Sequence, residues 1–248
     1  MKQDIHELST VQRYPIGFRY PVDNPLELRR WHYGRAGGLL NTDVAAWNAL
    51  RQHVAQRVIA ADVPALSRLV PITIGADGIA SDGNIGEDEL AGGYAVIWPH
   101  ADNTLNRRIL HNTATTAAGQ TMVLTLDKPT PIPLTVAGVV NVECMASPYL
   151  NVQTGLDQYA SKVGVPTMPA VLGEYLWLQT WGPVWIAPAG TVSVGVENRR
   201  VVFGGNGGVF DEDPTIAVRE IQQYAGFVLA NAPGDGQGAP FIFLQIAP

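Results

Sequence analysis

Turn-forming residues punctuate this chain so densely that long helices have little room: 26 glycines and 18 prolines fall within 248 residues. A glycine inside a helix costs about 1 kcal/mol relative to alanine, and a proline about 3 kcal/mol. From residue 70 onward the runs between turns are short and rich in Val, Ile, Thr and aromatics, the composition of strands. A first set of expected strands covers 70–74, 93–98, 107–112, 121–126 and 133–142. A second set covers 175–180, 184–187, 191–196, 201–203, 226–230 and 241–246, and the mixed stretch 144–168 between the sets marks a boundary. The turn spacing predicts a mainly β chain with an antiparallel sandwich or barrel body.

Two other kinds of segment interrupt this pattern. Residues 1–40 read as an extended arm, broken by Pro15, Pro21 and Pro25, in which Tyr14, Phe18, Tyr20, Trp31 and Tyr33 alternate with arginines. Apolar rings on such an arm imply that it lies against something, its own body or a neighbour. One amphipathic helix is expected from about Asn41 to Ala60, because Val44, Trp47, Leu50, Val54 and Val58 recur at helical steps. On that helix His53 would sit at the surface. A shorter helix is expected at 214–224, with Asp213 as its cap and Pro214 in its first turn. The domain reading is therefore an arm (1–40), a helix with a first β-rich domain (41–150), and a second β-rich domain (151–248), with one continuous body over 41–248 as the alternative.

Charge is scarce and unevenly placed. Charged residues make up 15% of the chain, against about 25% in average globular proteins. The net charge is -6, which leaves little affinity for nucleic acid. The basic residues nevertheless gather near the start, at Arg13, Arg19, Arg29, Arg30 and Arg35, opposed in that stretch by Asp23 and Glu27. Arginine suits desolvated contacts because its planar fork keeps its hydrogen bonds. The single Cys144 excludes an internal disulfide and reads as a small buried hydrophobe. No secretory signal is expected from the opening MKQDIHELST. The longest uncharged run, 175–196, is broken by Gly182, Pro183, Pro188 and Gly190, so no membrane span is expected.

The chemistry-bearing motifs are missing from the sequence. The five histidines have no metal-ligand spacing, and there is no nucleophile elbow, phosphate loop or dinucleotide fingerprint. The acidic stretch from Asp77 to Glu89 fails as an EF-hand, since Gly78 and Ala80 would occupy ligand positions. A looser calcium site there is the weaker alternative to a solvated loop. Residues 201–210 read as a hairpin with an Asn206-Gly207 turn. The sequence thus implies no catalytic residues, no cofactor, no metal and no enzyme.

Trp177, Trp181 and Trp185 are spaced by four, which fits one face of a strand as well as of a helix. Gly182-Pro183 argues for two strands joined by a turn. These tryptophans are expected to form either a sheet core or an oligomer interface.

Taken together, Phe18-Arg19-Tyr20-Pro21, the run Trp31 to Gly38, Glu89 to Tyr94, Asn106-Arg107-Arg108 and the run Tyr175 to Pro183 resemble virion proteins of tailed bacteriophages. The chain looks like the head decoration (cement) proteins on the outside of the mature capsid. The resemblance implies a β-rich structural protein, commonly trimeric, made in the host bacterial cytoplasm and bound to the capsid exterior. Its implied partners are the major capsid protein and further copies of itself, with no nucleic acid and no membrane. The implied capsid-binding residues are Tyr14, Phe18, Arg19, Tyr20, Arg29, Arg30, Trp31, Tyr33 and Arg35. The alternative is a glycan- or receptor-binding virion protein that uses the Trp-rich segment. A carboxylate-dependent glycosidase would need two carboxyls roughly 5–10 Å apart in a cleft, and the sequence locates no such pair.

Overall fold

The computed structural model describes residues 3–22, 24–48, 53–100, 103–155, 157, 160–190, 192, 199–211, 223–230 and 240–247. The early strands are β1 (Arg30–Arg35), β2 (Ala46–Asn48), β3 (Val54–Val58), β4 (Leu69–Thr73), β5 (Asn84–Ile85) and β6 (Tyr94–His100). They are followed by β7 (Asn103–Asn112), β8 (Thr115–Thr116), β9 (Thr121–Leu126), β10 (Asn141–Met145), β11 (Val152–Gln153) and β12 (Lys162–Pro166). The last are β13 (Tyr175–Trp185), β14 (Arg200–Phe203), β15 (Val209–Asp211), β16 (Tyr224–Ala230) and β17 (Phe241–Gln245). Among the described residues the chain is mainly β, with curled antiparallel sheets forming half-barrels.

Two compact units divide the chain, and the division is nested rather than sequential. The first joins Met1–Ala49 to Tyr149–Pro248, and the second is Leu50–Pro148. The start of the chain, expected as an extended arm lying against its own body or a neighbour, belongs to the same unit as the last hundred residues.

In the first unit the strand order is β11-β2-β12-β13-β17-β16-β14-β15, with β1 also paired to β13. Strand β13 organises this sheet. Its first part takes β1, from Arg35 opposite Tyr175 to Arg30 opposite Trp181, and its last part takes β17, from Trp181 opposite Gln245 to Trp185 opposite Phe241. The expected turn at Gly182-Pro183 is corrected here: one strand of eleven residues runs through it. Gly182 absorbs the irregularity with φ +90°, and a Cβ there would lie 2.8 Å from the Leu28 carbonyl oxygen. The buried Gln179 amide pins the bend by donating to the carbonyls of Trp181, Gly182 and Pro183. One side of the sheet buries Val201, Val209, Ala225, Ile242 and Leu244, while a second cluster gathers Leu40, Val152, Leu176 and Leu178.

The hairpin at 201–210 forms as expected. Strands β14 and β15 pair across a turn in which Gly204 donates to Gly208 and Gly207 takes φ +86°. The buried Lys162 braces this turn, its Nζ donating to the carbonyls of Asp157 and Gly205 at 2.9 and 3.1 Å. Burial lowers the Lys162 pKa, with the nearby Asp157 charge acting in the opposite sense.

The second unit holds a six-stranded sheet in the order β3-β10-β6-β7-β9-β4, and a small β5-β8 pair. Its edge strands approach each other at the Ile59–Ile72 bridge, so the sheet curls around an interior of Ile72, Ile97, Ile109, Met122, Leu124 and Val142. Alternation along β9 shows the pattern: Met122, Leu124 and Leu126 are buried while Thr121 is exposed.

The expected helix at 41–60 is not seen among the described residues. Its described residues contain β2 and β3, and the boundary between the two units falls within it, at Ala49/Leu50. The apolar residues that matched a helical step do not share a buried face, since Val54 is fully buried and Val58 is 44% exposed. Pairing of β3 with β10 overrides the local pattern. The strand expected at 133–142 is also corrected. A 3-10 turn at Val136–Gly138 precedes β10, Val139 takes a left-handed φ of 50°, and Val136 and Val139 are exposed. The helix at 214–224 lies outside the described residues up to 222, and Tyr224 begins β16; the strand at 191–196 lies outside them apart from Val192.

Candidate functional site

The start of the chain is built onto β13 through backbone and rings together. Ser9 and Tyr175 exchange backbone hydrogen bonds, which tie residues near the start to the first residue of β13. Residues 17–20 then run beside β1: Gly17 donates to the Tyr33 carbonyl, Tyr33 to Phe18, and Tyr20 to Trp31. This makes a ribbon that carries its aromatic residues over Trp177.

Trp177 is fully buried beneath that ribbon. The rings of Tyr14, Tyr20 and Tyr33 surround it with centroids 5.2, 4.9 and 5.0 Å away. The buried Gln3 closes the cluster, accepting from the Tyr33 hydroxyl at 2.7 Å while its backbone carbonyl accepts from Trp177 Nε1 at 3.3 Å. Burial pushes the Tyr33 hydroxyl up to about 12. Gln3 was invisible to pattern reading, because a single glutamine near the start of a chain carries no periodic signal.

This geometry sorts the sequence-derived residues. Trp31 and Tyr33, expected to contact a capsid, are interior residues at 3% and 0% exposure, so neither can meet a partner in this conformation. Trp177 is interior as well, whereas Trp181 and Trp185 are half-buried on the later part of β13. Tyr14 and Tyr20 are half-buried, and Phe18 and Arg19 are exposed. Arg35 is half-buried with its guanidinium 5.8 Å from the Tyr175 ring.

Exposed residues of this region include Phe18, Arg19, Pro21, Asn24, Pro25, Leu26 and Leu28. Leu26 is 84% exposed and Leu28 56%, beside the exposed Phe18. Arg29 is occupied: it makes a two-pronged pair with Glu27 at 2.9 and 2.7 Å and lies 5.1 Å from the Trp31 ring. That hydrogen-bonded pairing holds the Glu27 carboxyl down to about 2. Arg30 Nη1 donates to the carbonyls of Glu27 and Arg29. Arg19 has no ion-pair partner among the described residues. A surface cleft of about 340 Å³ opens here, lined by Arg19, Tyr20, Pro21, Val22, Asn24, Pro25 and Arg30.

Comparison with models of known protein families, with curated proteins and with solved structures finds no match.

Several titratable groups of the second unit are held in hydrogen bonds and ion pairs. Asp77, buried at the start of the acidic stretch, accepts from Ala55 N, Gly75 N and the Arg57 guanidinium. Burial pushes its carboxyl up, but the Arg57 pair and the two backbone donors outweigh this and hold it below the ordinary range. His53, expected at a helix surface, is instead buried, with Nε2 2.8 Å from Glu89 Oε1. Glu89 Oε2 also accepts from Gly86 N. Exposed His111 pairs with Asp88. No group of three or more His, Cys, Asp or Glu among the described residues is placed to hold a metal ion. Cys144 is fully buried, which pushes its thiol up. No helix among the described residues is long and apolar enough to cross a membrane.

Proposed function

We propose that this protein is a decoration (cement) protein of a tailed-phage head, bound to the outer surface of the capsid and acting as a trimer. The observation that carries the reading is the surface at residues 18–30, where exposed Phe18, Leu26 and Leu28 stand beside Arg19 and Arg30. Exposed leucines next to arginines that make no ion pair among the described residues form a contact surface of the kind that protein partners use, with apolar area for burial and guanidinium groups for orientation. The resemblance of the sequence to virion proteins supplies the partner class, the major capsid protein. Three linked copies would hold a capsid far more firmly than one, provided all three surfaces reach their sites.

In this reading the contact is made by a folded surface rather than by a loose arm. Tyr14, Trp31, Tyr33 and Trp177 set the shape of the surface from beneath, and Phe18, Arg19, Leu26, Leu28 and Arg30 meet the partner. The test is sedimentation of purified protein with heads of the encoding phage that lack it, alongside the mass of the free protein in solution. Saturable co-sedimentation of a trimer is expected, and it should be reduced by Leu26→Asp with Leu28→Asp. Failure to sediment with heads, or undiminished binding by that doubly substituted protein, overturns the proposal.

A further inference from the structure

We propose that the cleft between Arg19 and Arg30 is a receptor for an acidic peptide segment, with carboxylate side chains as the recognised group. This deepens the decoration reading by naming the chemistry of the partner segment, and it rests on that reading for the identity of the partner. Among the described residues no carboxylate forms an ion pair with Arg19 or Arg30, which gives the cleft its cationic donors. Glu27, the nearest described carboxylate in the sequence, is consumed by Arg29 through both of its oxygens. Arg30 is held in place by two backbone carbonyls on Nη1, and no acceptor among the described residues meets its Nε or Nη2. Arg19 is exposed and without an ion-pair partner among the described residues.

The walls select among anions. Pro21, Val22 and Pro25 give apolar flanks, and Tyr20 is fixed by its edge-on packing against Trp177. Pro21 and Pro25 each have a fixed φ, which limits the freedom a ligand must restrict at those two positions. A volume of about 340 Å³ accommodates a carboxylate side chain together with the methylenes that lead to it. Guanidinium groups bind carboxylates through paired, charge-assisted hydrogen bonds, and apolar flanks favour a peptide over a fully hydrated inorganic ion.

The experiment measures fluorescence anisotropy of a labelled, end-capped tetraglutamate peptide titrated with the full-length protein at low salt. Capped tetraglutamine, inorganic phosphate and oligothymidylate serve as unlabelled competitors. Saturable binding is expected, competed by unlabelled tetraglutamate and not by tetraglutamine. Arg19→Ala and Arg30→Ala should each weaken it about tenfold, the loss of a hydrogen bond to a charged group, while Arg19→Lys should recover part of the loss. Circular dichroism checks that each variant keeps its fold. No binding, equal binding by both alanine variants, or equal competition by phosphate or oligothymidylate overturns the proposal. Co-sedimentation with heads separates the two readings: undiminished head binding by Arg19→Ala with Arg30→Ala removes the cleft's role and leaves decoration standing. Peptide binding without head binding does the reverse.

Discussion

The ring of Tyr20 stands at 90° to that of Trp177, with centroids 4.9 Å apart, although 157 positions separate them in the sequence. Edge-to-face packing of this kind adds about 0.5–1.5 kcal/mol to the burial of each ring. It also ties Tyr20, which lines the cleft, to the centre of the sheet.

Replacing Trp177 by alanine should therefore cost about 3–5 kcal/mol, the range for truncating a large buried aromatic. Chemical denaturation followed by circular dichroism measures it. Trp181→Ala, at a half-buried position, should cost clearly less. Equal losses at the two positions would contradict the central place given to Trp177.

Removing residues 1–40 should leave the first unit unfolded rather than trimmed. The deletion takes away β1, the ring cover of Trp177 and Gln3, and exposes the edge of β13. Loss of the cooperative transition of this unit, with aggregation, is the expected result. A folded, monodisperse truncated protein would show that the ribbon is dispensable.

His32 makes the first unit sensitive to acid. Burial, assisted by the charge of Arg19, pushes its pKa down to about 4, against about 6.5 for an unperturbed histidine. Its ring lies flat on Tyr149, centroids 4.8 Å apart, with Nδ1 3.0 Å from the Thr180 hydroxyl. Between these two pKa values the unfolded chain binds the proton and the folded chain does not. The stabilisation is thus present above about pH 6.5 and is lost as the pH falls towards 4. Denaturation midpoints between pH 4 and 7 should fall with acid in the native protein, and His32→Gln should flatten that dependence.

Asp77→Ala should destabilise the second unit by about 1–3 kcal/mol, the cost of leaving hydrogen-bond donors without their acceptor. It leaves the Arg57 guanidinium and the N–H groups of Ala55 and Gly75 without their acceptor. Cys144 lies in the same unit and is fully buried, so its reaction with a thiol reagent reports opening there. Labelling should accelerate in the variant, and an unchanged rate would remove Asp77 from the framework.

Gly182→Ala should cost about 1–2 kcal/mol for placing a Cβ at positive φ, and more because that Cβ meets the Leu28 carbonyl at 2.8 Å. Thermal unfolding measures the loss. A neutral result would show that the backbone at 28–29 can move away.

The sequence by itself determined the β character of this chain, its turn at Asn206-Gly207, the burial of Cys144 and most strand positions, because turn residues and period-two burial act over a few neighbours. It did not determine which face of the 41–60 stretch would be buried, since apolar residues at helical steps also serve two separate short strands. It read Gly182-Pro183 as a turn, because the backbone at Leu28 that requires a glycine there lies 154 residues away. Only the tertiary structure decided that the aromatic start of the chain is part of a sheet. Pairing of β1 with β13, and the enclosure of Trp177 by Tyr14, Tyr20, Tyr33 and Gln3, depend on contacts between the two ends of the chain. The glycines and prolines that interrupt the chain fix where it can turn. Packing of distant rings and strands fixes which segments meet, and so leaves Arg19 and Arg30 at an open cleft while Trp31 and Tyr33 are closed inside.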